Sequence, residues 1–398
     1  MTTSALDMKT LVSLSPAGLE ELGVTHTARE IAHQPACWNR IANLVVEKRA
    51  HLQELLLKAG VPGNPAAKVI LSGAGTSEYI GRCVEGALRE ALGCEVDTRA
   101  STDCVTHLDS LMVHGRDYLV VHFARSGNSP ETMAMYRMMK ARMPQSSHLA
   151  ITCNAQGALA QAAETDSSSM ALILPPETND RGLAMTSSFT GMMIAALGLA
   201  HLQRLDEFVK TVAAAGIAVN TLMENSAVVS QIAARPWNRV AFLGSGPLLG
   251  CAREAALKMT ELTDGRIATW SDSFLAFRHG PKVFLTPQTL LVCFVSSDER
   301  VWQYERDLIA ELVSEAKHGS MLTVSAKPAV DSLASDSVHV RWQVGSGTLP
   351  DSFRPACDIV VGQLLAMFKS LNLGLRPDSP NASGVINRVV SGVRIYEA

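Results

Sequence analysis

The sequence predicts an α/β protein of two similar domains, each a parallel sheet flanked by helices as a three-layer αβα sandwich. Short apolar runs ending in glycine or serine turns alternate with helix-compatible stretches, the pattern of βαβ units. The pattern occurs twice in register, because Gly73 and Gly244, like Phe123 and Phe294, lie 171 positions apart. The chain is also long enough for two ordinary cores: it has 398 residues, 47% of them hydrophobic.

In the first half, strands are expected at Val69-Ile70-Leu71, Tyr118 to Phe123 and Leu149 to Thr152; in the second, at Val240 to Leu243, Thr289 to Val295 and Met321 to Val324. Ahead of them, Thr27-Ala28-Arg29-Glu30 reads as a capping box opening a helix, and Trp38 to Lys58 as a longer amphipathic helix. Linking helices around Leu202 to Gln231 end at Arg235-Pro236-Trp237, where proline breaks the pattern. The expected division is a helical lead-in over 1–60, a first domain over 61–214, a second over 215–375, and a tail over 376–398 that covers the active site.

A formal net charge of -3 with no basic run gives no electrostatic reason to expect nucleic acid, and nothing suggests a membrane surface. Met1 to Thr10 lacks the basic start and apolar block of a secretory signal, so a cytoplasmic protein is expected. The eight cysteines form no CxxC pair and suit reduced thiols rather than bridges. No HExxH or close His/Cys pairing suggests a metal, and no cofactor is expected. The simpler partner is a small molecule.

Ligands of open parallel sheets bind beyond the carboxyl ends of the strands, where the glycine turns and serine loops fall. Gly73-Ala74-Gly75-Thr76-Ser77 matches neither a dinucleotide fingerprint nor a Walker loop, but its hydroxyls and N–H groups at a helix start could hold an oxyanion. Arg125-Ser126-Gly127-Asn128-Ser129-Pro130 offers a good N-cap at Ser129 and proline at the first helical position, which also suits phosphate. Thr186-Ser187-Ser188 is a third hydroxyl-rich turn. Each could equally be a plain strand-helix connection, and one half could keep only structural versions.

On the helix from Leu248 to Leu262, Glu254, Lys258 and Glu261 share one face. Such spacing ordinarily marks a solvated salt-bridge face, though a partly desolvated carboxylate there could serve as a general base. His279, in Phe277-Arg278-His279-Gly280-Pro281-Lys282, is open between proton shuttle and local hydrogen-bonder.

Together these stretches resemble the sugar isomerase (SIS) domain family of duplicated phosphosugar-binding α/β sandwiches, which implies two tandem SIS domains. Within it, Glu30 to Pro35, Arg125 to Pro130, Asp180 to Ser188, Arg253 to Lys258, Phe277 to Lys282 and Asn387 to Val390 resemble the AgaS-type galactosamine-6-phosphate deaminase/isomerases, also known as tagatose-6-phosphate ketose/aldose isomerases. The resemblance implies deamination and isomerisation of an amino-sugar phosphate. A simple aldose/ketose phosphate isomerase and a non-catalytic phosphosugar-binding regulator are the alternatives.

A more distant similarity to the isomerase half of glucosamine-6-phosphate synthase implies roles for single residues. The turn of Gly75, Thr76 and Ser77 and the loop of Ser126 and Ser129 would hold the phosphate; Arg125, Thr186, Ser187 and Arg388, from the neighbouring motifs, are further substrate-site candidates outside that match. Glu261 would carry a proton between C1 and C2, Lys258 would neutralise the developing oxyanion, and His279, offered by a neighbouring subunit, would open the ring. A homodimer with a shared active site follows from the last role. With no N-terminal cysteine, glutamine-dependent amide transfer is not expected. With no lysine after Lys369, neither is Schiff-base capture, and the tail offers Asn387 and Arg388 instead.

Overall fold

A computed structural model describes residues 6–396 apart from 62, 114, 327–336, 342–348, 382 and 391. The outermost ends of the lead-in and tail lie outside the described residues. The chain forms two compact units. One holds Ala36–Asp180, Ser187–Val212 and the tail from Ile386; the other holds the residues up to Pro35, Arg181–Thr186 and Ala213–Val385. The lead-in is therefore divided at Pro35, and the tail at Val385, rather than each joining a single unit.

The first-sheet unit is built on β1 (Lys68–Gly73), β2 (Glu95–Ala100), β3 (Tyr118–Ala124), β4 (Ser147–Thr152) and β5 (Ser169–Ile173). All pairs are parallel, in the order β2-β1-β3-β4-β5. The strand order reverses between β1 and β3, and it is beyond the carboxyl ends of strands at such a reversal that open parallel sheets bind ligands. Burial on both faces explains the apolar runs Val69-Ile70-Leu71, Leu119-Val120-Val121 and Leu149-Ala150-Ile151 in β1, β3 and β4. The helix Ser187–Ala200 is apolar all round and almost wholly buried, as befits a central helix. The run expected over Trp38 to Lys58 is two helices, Gln34–Glu47 and Arg49–Lys58.

Inside this sheet His122 Nε2 and His148 Nδ1 lie 2.9 Å apart, and His148 Nε2 lies 2.9 Å from Ser146 Oγ. Burial pulls the two imidazoles down from 6.5, to about 3 and about 2. Neutral in the fold but protonated in the unfolded chain below 6.5, they contribute stability that is complete above that pH and lost as pH falls toward about 3. The urea midpoint should fall steadily between pH 6.5 and 4, and the His148→Phe variant should show a shallower fall over that range.

The second-sheet unit repeats the plan with β6 (Arg239–Gly244), β7 (Ala268–Asp272), β8 (Thr289–Phe294), β9 (Ser320–Ser325) and β10 (Val338–Arg341). Its order, β10-β9-β8-β6-β7, is the first order read from the other edge, and every pair is again parallel. Its buried helix Arg354–Asn372 packs closely on the helix Pro247–Leu262, where a Cβ at Gly362 would come within 2.9 Å of Ala255 Cβ. Gln34, buried like Gln363, donates to its Oε1 at 2.8 Å.

The expected capping box at Thr27 does not form. The helix Thr27–Ala32 has His26 at its N-cap with no side-chain cap. Asp378 supplies the cap from afar, its carboxylate accepting from His26 N, Thr27 N and Thr27 Oγ1. Glu30 turns instead to Arg181 N and Gly182 N, at 2.5 and 3.2 Å. No single described helix is long and apolar enough to cross a membrane.

Candidate active site

The β1–helix turn is tight because Gly73 and Gly75 allow it. A Cβ at Gly73 would lie 2.5 Å from Ser77 Cβ, and Gly75 has φ 55° and ψ -122°, a conformation closed to other residues. The turn brings Thr76 and Ser77, both buried, to the first turn of the helix Thr76–Leu92, at its positive end. The neighbouring β3 delivers Arg125, Ser126 and Ser129. Asn154 Nδ2 donates to Ser126 O at 2.9 Å and Ala158 N to Asn128 Oδ1 at 2.9 Å, which braces this loop from the β4 side. Ser129 is the N-cap of the helix Pro130–Arg142, but its hydroxyl donates to Thr132 Oγ1 at 2.7 Å rather than closing the cap. Six of the expected substrate-site residues thus share the two loops of one switch point.

Three do not. Ser187 and Thr186 are wholly buried. Asp180 accepts from Ser187 N and Ser188 N at 3.0 and 2.9 Å and from both hydroxyls at 2.5 Å, so the protein's own carboxylate fills the anion position at this helix start. Thr186 turns its carbonyl to Gln363. Arg388 donates to Asp180 O and Asn179 Oδ1, both at 2.6 Å, and its own carbonyl accepts from Arg125, so it latches the tail onto this loop. Asp180 itself was missed as a functional residue, because a cap seven and eight positions ahead of its serines is not a local sequence signal.

In the second-sheet unit, the face of the helix Pro247–Leu262 carrying Glu254, Lys258 and Glu261 is not a solvated one. Glu254 and Lys258 have 0% side-chain exposure and Glu261 has 24%. Lys258 Nζ lies 2.5 Å from Glu261 Oε2 and 3.3 Å from Glu254 Oε1. Burial pulls the ammonium down, but the two carboxylates outweigh it and hold its pKa above the ordinary value. Lys258 is thereby spent on its neighbours, while one edge of Glu261 reaches solvent. This is a fixed carboxylate beside a permanent cation, able to move a proton at its open edge.

His279 is exposed, in the turn after the helix Phe274–Phe277, where Gly280 takes φ 123°. Exposed Trp270, Leu275 and Val283 surround it in sequence. Among the described residues, no three His, Cys, Asp or Glu side chains cluster to bind a metal.

The SIS domain model matches residues 64–202. The D-galactosamine-6-phosphate deaminase AgaS of Escherichia coli is 37% identical over 378 residues, covering 94% of this chain and 96% of that protein. A solved structure from Clostridium novyi NT is similar with TM-score 0.92 and 32% identity, covering 98% of this chain and 99% of that one. The tagatose-6-phosphate ketose/aldose isomerase structure from Escherichia coli gives 0.84 and 34%, covering 94% and 96%.

Proposed function

Because the chain belongs to the family of AgaS-type D-galactosamine-6-phosphate deaminases, proteins with SIS domains, we propose that it deaminates and isomerises an amino-sugar phosphate. Galactosamine 6-phosphate is the first candidate, with tagatose 6-phosphate and ammonia as products. The observation that carries the reading is the Glu254–Lys258–Glu261 cluster, in which a buried ammonium fixes a carboxylate with one open edge.

In the proposed route His279 opens the ring, exposing the C1 aldehyde and making the C2 proton acidic. Glu261 takes that proton and returns it to C1 through an enolamine, which leaves an imine at C2. Water adds to the imine, and ammonia departs to give the ketose. Lys258 acts through Glu261, holding its orientation and balancing its charge. Gly75, Thr76, Ser77, Arg125, Ser126 and Ser129 hold the phosphate. His279 stands on an exposed segment with apolar neighbours, which suits its delivery to a second copy in a homodimer with shared active sites. A cytoplasmic location suits the eight buried thiols.

Incubation with galactosamine 6-phosphate should release ammonia in step with ketose phosphate. Aldose–ketose interconversion without ammonia would instead establish the plain isomerase, which uses the same proton transfer and is the activity named for the similar Escherichia coli structure. Ser126→Ala should raise KM for the phosphosugar about tenfold with a smaller change in kcat, the cost of roughly one charge-assisted hydrogen bond to phosphate. An unchanged KM would remove Ser126 from the cradle.

A further inference from the structure

The second sheet has its own switch point, between β6 and β8, and its backbone repeats the first: Gly246 takes φ 55° and ψ -124°, against 55° and -122° at Gly75. Its chemistry differs. At the 171-residue offset, Pro247 and Leu248 stand where the first turn has Thr76 and Ser77, so both hydroxyls and one N–H are lost. The serine loop remains, with Ser297 as the counterpart of Ser126.

That loop already grips an anion. Ser297 N donates to Asp351 Oδ1 at 2.7 Å, and Ser296 Oγ donates to Asp351 Oδ2. Behind it, Arg354 Nη1 donates to Ser297 Oγ at 2.9 Å, its guanidinium fully buried. A second carboxylate, Glu305, accepts from Ser296 N at 2.7 Å from inside the unit. Burial pushes its pKa up to about 7, so at mildly acid pH it is largely uncharged and does not act as a rival anion.

We infer that the β6/β8 crevice is an oxyanion site which the chain fills with its own Asp351 carboxylate, in the position a phosphate would take, so that each chain has one phosphate site open to ligand rather than two. The two-pronged contact from a serine hydroxyl and a backbone amide backed by arginine is a phosphate-loop arrangement with the ligand supplied in cis. The count of one rests on the first-sheet loops being the substrate cradle; the plug does not.

Equilibrium dialysis of the full chain against labelled inorganic phosphate at pH 6 tests both. The expected counts per chain are one for wild type, none for Ser77→Ala/Ser126→Ala, and two for Asp351→Ala. A second phosphate on wild type, or one remaining on Ser77→Ala/Ser126→Ala, would mean that the crevice is open and overturn the inference, even if Asp351→Ala failed to fold. A folded Asp351→Ala that binds no more than wild type would overturn it too. No phosphate on wild type and one on Asp351→Ala would sink the first-sheet cradle while leaving the plug standing.

Discussion

Glu261→Gln is expected to release ammonia from galactosamine 6-phosphate at least about a thousandfold more slowly than wild type, because the amide cannot accept the C2 proton and general acid–base catalysis is commonly worth 10²–10⁴-fold. The substitution keeps the shape and leaves Lys258 a neutral oxygen partner. Glu254, fully buried at 3.3 Å from Lys258 Nζ, still balances the ammonium. Binding should survive, so saturating phosphosugar should raise the melting temperature of the variant about as much as that of wild type. Full turnover in the variant would remove Glu261 from the mechanism. Loss of both turnover and ligand-induced stabilisation would show a damaged site rather than a missing base.

Asp358→Ala should strongly destabilise the second-sheet unit, by about 3–5 kcal/mol, because it strands a buried guanidinium. Arg354 and Asp358 both have 0% side-chain exposure and meet at 3.0 and 2.7 Å through two parallel bonds. They lie four apart on the helix Arg354–Asn372, which is buried along nearly all its length. The urea midpoint should fall sharply for Asp358→Ala, whereas Arg354→Met/Asp358→Leu, which removes both charges and keeps the volume, should recover most of the loss. Equal losses in the two variants would mean that packing, not the uncompensated charge, sets the cost.

The strands legible in the sequence and those that were not differ by position in the sheet. β1, β3 and β4, like β6, β8 and β9, have neighbours on both sides and read as apolar runs. β2, β5, β7 and β10 are the four sheet edges, and none was expected. Edge strands are partly exposed, and three of the four carry charge, as in Glu95-Val96-Asp97-Thr98-Arg99-Ala100, which breaks the apolar run that marks an inner strand; β5, Ser169-Met170-Ala171-Leu172-Ile173, carries none and is the exception. The glycine turns and the Ser126 loop were legible because backbone geometry restricts their residues. The burial of Glu254 and Lys258 was not: the same i, i+4 pair reads as a surface bridge, and what takes it out of water is tertiary packing around their helix, which local spacing does not register. Asp378 and Asp180 were hidden for a related reason, since each caps a helix across a separation that local patterning does not register.

The threading of the chain has a consequence for its synthesis. The helix Thr27–Ala32 leaves the ribosome about 350 residues ahead of Asp378, which caps it. At about 5–20 residues per second the early segment waits tens of seconds for that carboxylate, while the first sheet can already close over its own strands. Through that interval Ala28 and Ile31, which end at 0% exposure, have no finished core to enter. The nascent chain therefore carries a sticky apolar segment through that whole interval, a natural target for a holding chaperone.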